Sequence, residues 1–237
     1  SSPLGGGSIL GDKTRMEQLA RRPEAFIRPS PAGRTLGGVA RRSRESLLIC
    51  EAAGFDVVLV ETVGVGQSET AVADMVDAFL LLLLPSGGDE LQGIKKGIVE
   101  LADIVAINKA DGALKDAAQQ SAADYANALR LLRPAMPTWQ PPVLQCSALL
   151  GEGIDEIWQA IGRFRAAAEA CGALADKRSA QARGWLWREV SESLLTELRA
   201  DARTAERIEP LEAEVVAGRI TPSGAARELL AVFRGQS

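Results

Sequence analysis

The residues best suited to chemistry are Asn108-Lys109-Ala110-Asp111, which follow the apolar run Ile104–Ile107 directly. A loop at the carboxyl end of a buried parallel strand is where open α/β sheets bind ligands. The Asp111 carboxylate can accept two hydrogen bonds, from the N1–H and the 2-amino group of a guanine. The Lys109 stem can lie along the base plane, and Asn108 can tie the loop together. Adenine presents the opposite donor and acceptor pattern at those atoms, and a site built on buried hydrogen bonds rejects such a mismatch by about 10⁴-fold or more. A solvated loop is the plainer reading of the same four residues. Their place after an apolar strand favours base recognition.

Other segments fit a nucleotide. Cys146-Ser147-Ala148-Leu149 follows the next apolar run, and a Ser-Ala pair there can back a guanine with a backbone N–H. Glu61-Thr62-Val63-Gly64-Val65-Gly66-Gln67 follows the run 56–60. Gly64 and Gly66 allow close backbone approach to a terminal phosphate, and Glu61 can hold Mg²⁺ directly or through water. A glycine-rich strand-to-helix turn is the alternative. Gly6 to Thr14 nearly matches the phosphate loop G-x-x-x-x-G-K-[ST], but Asp12 stands between Gly11 and Lys13 and no strand precedes it. It reads as a switch-type loop with Asp12 facing Mg²⁺, and no true phosphate loop occurs in the chain. Asp89, Glu90, Gln92, Lys95 and Lys96 lie in a polar, glycine-flanked loop. That loop is either a solvated turn or a mobile element that senses the nucleotide or a partner.

The elements that must position these residues are legible as periodicity. Four apolar runs, at 56–60, 78–84, 103–107 and 142–146, read as strands apolar on both faces. Helix-length segments at about 90–102, 113–132 and 153–171 separate the later ones, which predicts a parallel sheet covered on both sides. Residues 1–38 read as loop, and 41–54 as a helix stopped by Gly54. From residue 173 no strand-like run appears. Trp187, Val190, Leu194 and Leu198 recur at helical spacing, as core or as a subunit interface with equal weight. Asp201 with Thr204, and Thr221 before Pro222, mark two further helix starts. The expected division is a nucleotide-binding domain over 1–172 and a helical arm over 173–237.

Composition narrows the class. Of 237 residues, 46% are hydrophobic and 24% charged, with net charge −4 and no concentrated basic footprint, so no nucleic-acid partner is expected. No run approaches the ~18 apolar residues that signal a membrane span. Three dispersed cysteines suit a reducing compartment, and the absence of histidine removes imidazole bases and ligands. The expected location is cytoplasmic. A metallochaperone GTPase, which carries metal on clustered Cys and His, finds no support in such a composition.

Gly7 to Met16, Phe26 to Ser30, Glu61 to Glu69, Gly88 to Gly97 and Asn108 to Asp111 together resemble the MeaB (ArgK) family of methylmalonyl-CoA mutase-associated GTPases. The likeness extends into the tail, at Gln181 to Trp187 and Ala217 to Pro222. It implies an α/β P-loop-type G domain, followed by an α-helical dimerisation arm. It implies GTP and GDP as ligands, Mg²⁺, a homodimer, and service as chaperone to an adenosylcobalamin-dependent acyl-CoA mutase, gating cofactor loading and protection. Asp12 and Glu61, with Gly64 and Gly66, would serve the Mg²⁺ and phosphate side. Asn108, Lys109, Asp111, Ser147, Ala148 and Leu149 would serve the guanine, and the loop from Asp89 to Lys96 would answer the mutase. The family's phosphate loop, its first strands and a further Asp before Ser1 have no counterpart here. The sequence therefore reads as an N-terminally truncated G domain, expected to be a weak or inactive GTPase alone. The alternative is a nucleotide-insensitive pseudo-GTPase module that docks the mutase.

Overall fold

A computed structural model describes residues 16–28, 36–62, 68–85 and 96–235. It falls into two compact units, 1–181 and 182–237.

The first unit is built on a parallel sheet of three strands in the order β1 (Leu80–Leu83), β2 (Ile104–Ile107), β3 (Val143–Gln145). Leu80 pairs with Ile104, and Val105 with Val143. Every residue of β2 is fully buried, as a central strand covered on both faces must be. Ile104 and Ala106 face the helix Ile154–Ala170, where Ile157, Ala160, Phe164 and Ala168 are buried. Trp139 meets Phe164 edge-on, with centroids 5.4 Å apart, and donates its indole N–H to the Asp103 carbonyl. Alternation turns Val105 and Ile107 the other way. The helix Lys115–Arg130, with Ala118, Ala122, Tyr125 and Leu129 buried, packs on β2 and β3. Three shorter or earlier helices precede or interleave these: Glu17–Ala20, Leu36–Ala52 and Ser68–Ala73, with Lys96–Val99 between β1 and β2. In chain order the helices are α1 (Glu17–Ala20), α2 (Leu36–Ala52), α3 (Ser68–Ala73), α4 (Lys96–Val99), α5 (Lys115–Arg130) and α6 (Ile154–Ala170).

Gly172, at φ 77°, ends α6 in the left-handed conformation, and α7 (Ala173–Ala200) starts at once. Its opening turns are tied to the segment before β1. Arg178 grips Asp77 through Nε at 2.8 Å and Nη2 at 2.5 Å, and also reaches Glu51 at 3.2 Å. Lys177 donates to the Asp77 carbonyl and Gln181 to that of Val76. Asp103 is largely buried here; it accepts the Phe79 N–H at 2.9 Å and faces Lys177 at 3.6 Å. Burial pushes its carboxyl pKa above the usual 3.8, against the opposing pull of Lys177 and of the Phe79 N–H.

The second unit contains the rest of α7 with α8 (Ala202–Val216) and α9 (Pro222–Phe233). Asp201 caps α8 by accepting from the Thr204 N–H at 3.0 Å, and Thr221 caps α9 from the Gly224 N–H at 3.1 Å with Pro222 at the first turn. Thr204, Leu211 and Ala225 are buried, and Arg207 pairs with Glu228 across α8 and α9.

Two sequence expectations are corrected. Residues 56–60 form no strand: they pair with no strand of the described sheet, and Val57 and Leu59 are exposed. Apolar patterning records a tendency to be buried and cannot supply a ladder partner. Among the described residues no strand pairs with the outer edge of β1, and Leu82 is exposed as well. The stretch 1–38 is not all loop, because α1 falls within it and α2 starts at Leu36 and runs through Gly37 and Gly38. Glycine in a helix costs only about 1 kcal/mol relative to Ala, which the remaining turns of α2 absorb.

Candidate guanine-binding site

β2 does not stop cleanly at Ile107. The Asn108 N–H donates to the Leu83 carbonyl at 2.8 Å, carrying the ladder one residue further. The chain then turns at Lys109, the only non-glycine residue with positive φ (61°) among the described residues. That conformation is costly for a side-chain-bearing residue and must be held by its surroundings. Asn108 Oδ1 holds it by accepting from the Lys109 N–H at 2.8 Å, the Ala148 N–H at 3.1 Å and the Cys146 thiol at 3.7 Å. The Ala110 N–H donates to the Cys146 carbonyl at 3.0 Å. Asn108 therefore does tie the loop together, and it ties it to the loop after β3.

That second loop closes on itself. Ser147 is almost fully buried; its N–H donates to the Glu152 carbonyl and its carbonyl accepts from Gly151, both at 2.9 Å. The Ser147 hydroxyl donates to Asp111 Oδ2 at 2.5 Å and accepts the Leu150 N–H at 3.1 Å. One carboxylate oxygen of Asp111 is thus oriented, and no bond among the described residues engages Oδ1. A carboxylate offers about four lone-pair directions, so a ligand can still bond to both oxygens. Asp111 is half-buried, while Lys109, Ala148 and Leu149 are exposed, so the polar edge opens to solvent at the carboxyl ends of β2 and β3. Burial raises the pKa of the Cys146 thiol, which keeps it a neutral donor to Asn108.

The structure brings together Asn108, Lys109, Asp111, Ser147 and Ala148, with Leu149 on the rim. The Ala148 N–H, expected to back the base, is engaged by Asn108 Oδ1. Glu61 lies exposed directly after residues 56–60, with no bond to this loop pair. Asp12, Gly64, Gly66, Asp89, Glu90, Gln92 and Lys95 lie outside the described residues, and of Lys96 only the backbone, opening α4, is described. Among the described residues no group of three or more acidic, Cys or His side chains could hold a metal. Sequence reasoning missed Cys146 as a partner of Asn108, and it missed Gly153, whose φ is 74° at the N-cap of α6. The spacing Gly151-x-Gly153 after a strand was the available signal.

Comparison with known proteins gives this geometry its context. The family model described as methylmalonyl-CoA mutase-associated GTPase MeaB matches residues 1–203. The chain belongs to the MeaB family. Within and around that family, a putative GTPase of Caulobacter vibrioides is 57% identical over 98% of this chain, which spans 71% of that protein. The mitochondrial methylmalonic aciduria type A homolog of Mus musculus is 49% identical over the whole chain, which spans 57% of its length. A crystal structure of a LAO/AO transport system kinase is similar at 43% identity with a TM-score of 0.71, over 91% of this chain and 68% of that one. The α/β, parallel-sheet G-domain fold expected from the MeaB resemblance is therefore the fold of this chain.

Proposed function

We propose that this chain carries the guanine-recognition part of a GTP-hydrolysing protein that serves an adenosylcobalamin-dependent acyl-CoA mutase. Membership of the MeaB family supports the reaction class, and the family's description supports the mutase as client. The observation that carries the base assignment is Asp111, with Oδ2 fixed by Ser147 and Oδ1 open. Gating of cofactor loading and protection of the mutase is the role this reading gives to nucleotide exchange. The loop from Asp89 to Lys96 is proposed as the element that reports nucleotide state to the mutase.

Mg²⁺ is proposed to bind through Asp12 and Glu61 together with the nucleotide's phosphates. The exposed Glu61 carboxylate fits a metal that takes one or two protein carboxylates and keeps several waters. When bound, the ion would neutralise developing phosphate charge. The domain division follows the same reading: a G domain over 1–172, a helical arm over 173–237, and a homodimer formed through the arm.

The deciding experiment is titration of the chain and of Asp111→Asn with GTP and xanthosine triphosphate. Two hydrogen bonds to a charged acceptor are at stake, each worth about 1.5–3 kcal/mol. GTP affinity is expected to fall by about 100-fold or more, while xanthosine triphosphate gains, since its 2-oxo group accepts from an amide. Equal GTP affinity in the two proteins would show that Asp111 does not read the base.

A further inference from the structure

The loop that carries Ser147 is seated on β3 by a contact that no side chain could occupy. Gly153 lies over the end of β3. A Cβ placed on it would stand 2.2 Å from the Gln145 carbonyl oxygen, 2.9 Å from Cys146 Cα and 3.1 Å from Cys146 Cβ. Backbone lies on the crowded side, so no rotamer change relieves the clash; either β3 or the start of α6 must move. Two residues earlier, Gly151 has the same φ of 74°, yet a Cβ there meets nothing within 4 Å. The two glycines share the conformational requirement and differ only in the close approach.

What lies under Gly153 is the hinge of the base site. Cys146 accepts the Ala110 N–H and bonds Asn108 through its thiol, and the next residue is Ser147, which orients Asp111. We propose that Gly153 is a positioning residue for guanine selectivity. Its missing side chain lets α6 press on β3, and that seating sets Ser147 and through it the Asp111 carboxylate. The inference rests on the guanine reading of Asp111 and adds to it a residue that touches no ligand.

The experiment compares GTP with ITP, which lacks only the 2-amino group that Asp111 would bind, by titration of the 237-residue chain. In the unmodified protein GTP is expected to bind about tenfold or more better than ITP, the worth of one hydrogen bond to a charged group. In Gly153→Ala that preference is expected to collapse to under about twofold, with GTP losing more affinity than ITP, which has only the N1–H bond to lose. General loosening would instead lower both nucleotides by the same factor and leave the preference intact. Gly151→Ala is expected to keep the preference, and Ser147→Ala to lose it, with no further loss in the double variant Ser147→Ala/Gly153→Ala. A preference retained in Gly153→Ala overturns the proposal, as does equal loss in Gly151→Ala, which would assign the effect to backbone strain. If Gly153→Ala does not fold, Ser147→Ala decides: a preference kept there breaks the chain from loop to carboxylate. An unmodified protein without any preference overturns the guanine reading itself, and the inference with it.

Discussion

Asp111 does not act alone, and its dependence on Ser147 is the sharpest consequence at the scale of single residues. The Ser147 hydroxyl serves two partners, donating to Asp111 Oδ2 and accepting the Leu150 N–H. Removing it frees the carboxylate to rotate and leaves the Leu150 N–H without that acceptor. Ser147→Ala is expected to weaken GTP binding by about tenfold and to cost about 1–3 kcal/mol of stability. Titration calorimetry and urea unfolding read the two effects separately. Unchanged affinity would mean that Asp111 is oriented without its neighbour. Asn108, Lys109 and Asp111 could be singled out in the sequence because their types and spacing match the recognition chemistry proposed for a guanine. The bonds that bring them together were not, since the Ala110 N–H to the Cys146 carbonyl and the Ala148 N–H to Asn108 Oδ1 both start from backbone donors that nearly every residue possesses and span residues far apart in sequence.

Elements were legible where one periodic run supplied its own evidence. β2 and the helices α5 and α6 lie within a few residues of their expected bounds, and the caps at Asp201 and Thr221 mark α8 and α9 because a cap is a local bond. Thr221→Ala is expected to cost about 1 kcal/mol in denaturant unfolding, with no change in nucleotide binding. The run 56–60 misled because pairing is not local, and an apolar run without a strand neighbour forms no ladder. The staple between α7 and the segment before β1 was equally invisible, since nothing in sequence ties Asp77 to Arg178. It makes a prediction about pH. The Asp103 pKa is raised in the folded state, so its favourable contribution is full below about 3.8 and is lost as pH rises through the raised value. Above that window the fold carries a buried carboxylate only partly offset by Lys177. Asp103→Asn keeps an acceptor for the Phe79 N–H and removes the titration. Melting temperatures from pH 3 to pH 7 are therefore expected to fall less steeply, or rise more, in the variant than in the parent. Parallel curves would show that Asp103 titrates alike folded and unfolded.

For the molecule as a whole, the informative surface belongs to the second unit. Trp187, Val190 and Leu194 stand three and four residues apart on α7 and so share one face, and Trp187 is 68% exposed and Leu194 52%. Leu186 and Leu195 flank them, also exposed. Isolated exposed apolar residues are ordinary on a protein surface, but a contiguous stripe containing a tryptophan is the composition of an interface core. The sequence left this stripe open between core and subunit contact. In the single chain Trp187, Val190 and Leu194 are exposed and Leu198 is half-buried. The compact units divide at 181/182, later than the change in sequence character at 173, because the opening turns of α7 are held by Asp77 and the Val76 carbonyl. The stripe begins just past that point, on the part of α7 grouped with α8 and α9. A second copy of the chain is the occupant that the proposed homodimer requires. Leu194→Glu places a charge in the middle of the stripe, where association would have to desolvate it. Sedimentation equilibrium is expected to give twice 25.1 kDa for the parent and 25.1 kDa for the variant. Circular dichroism should be unchanged, since Leu194 is exposed in the single chain and helix formers remain on either side. A parent that sediments as a monomer at micromolar concentration would leave the stripe to another partner and remove the homodimer from the proposed function.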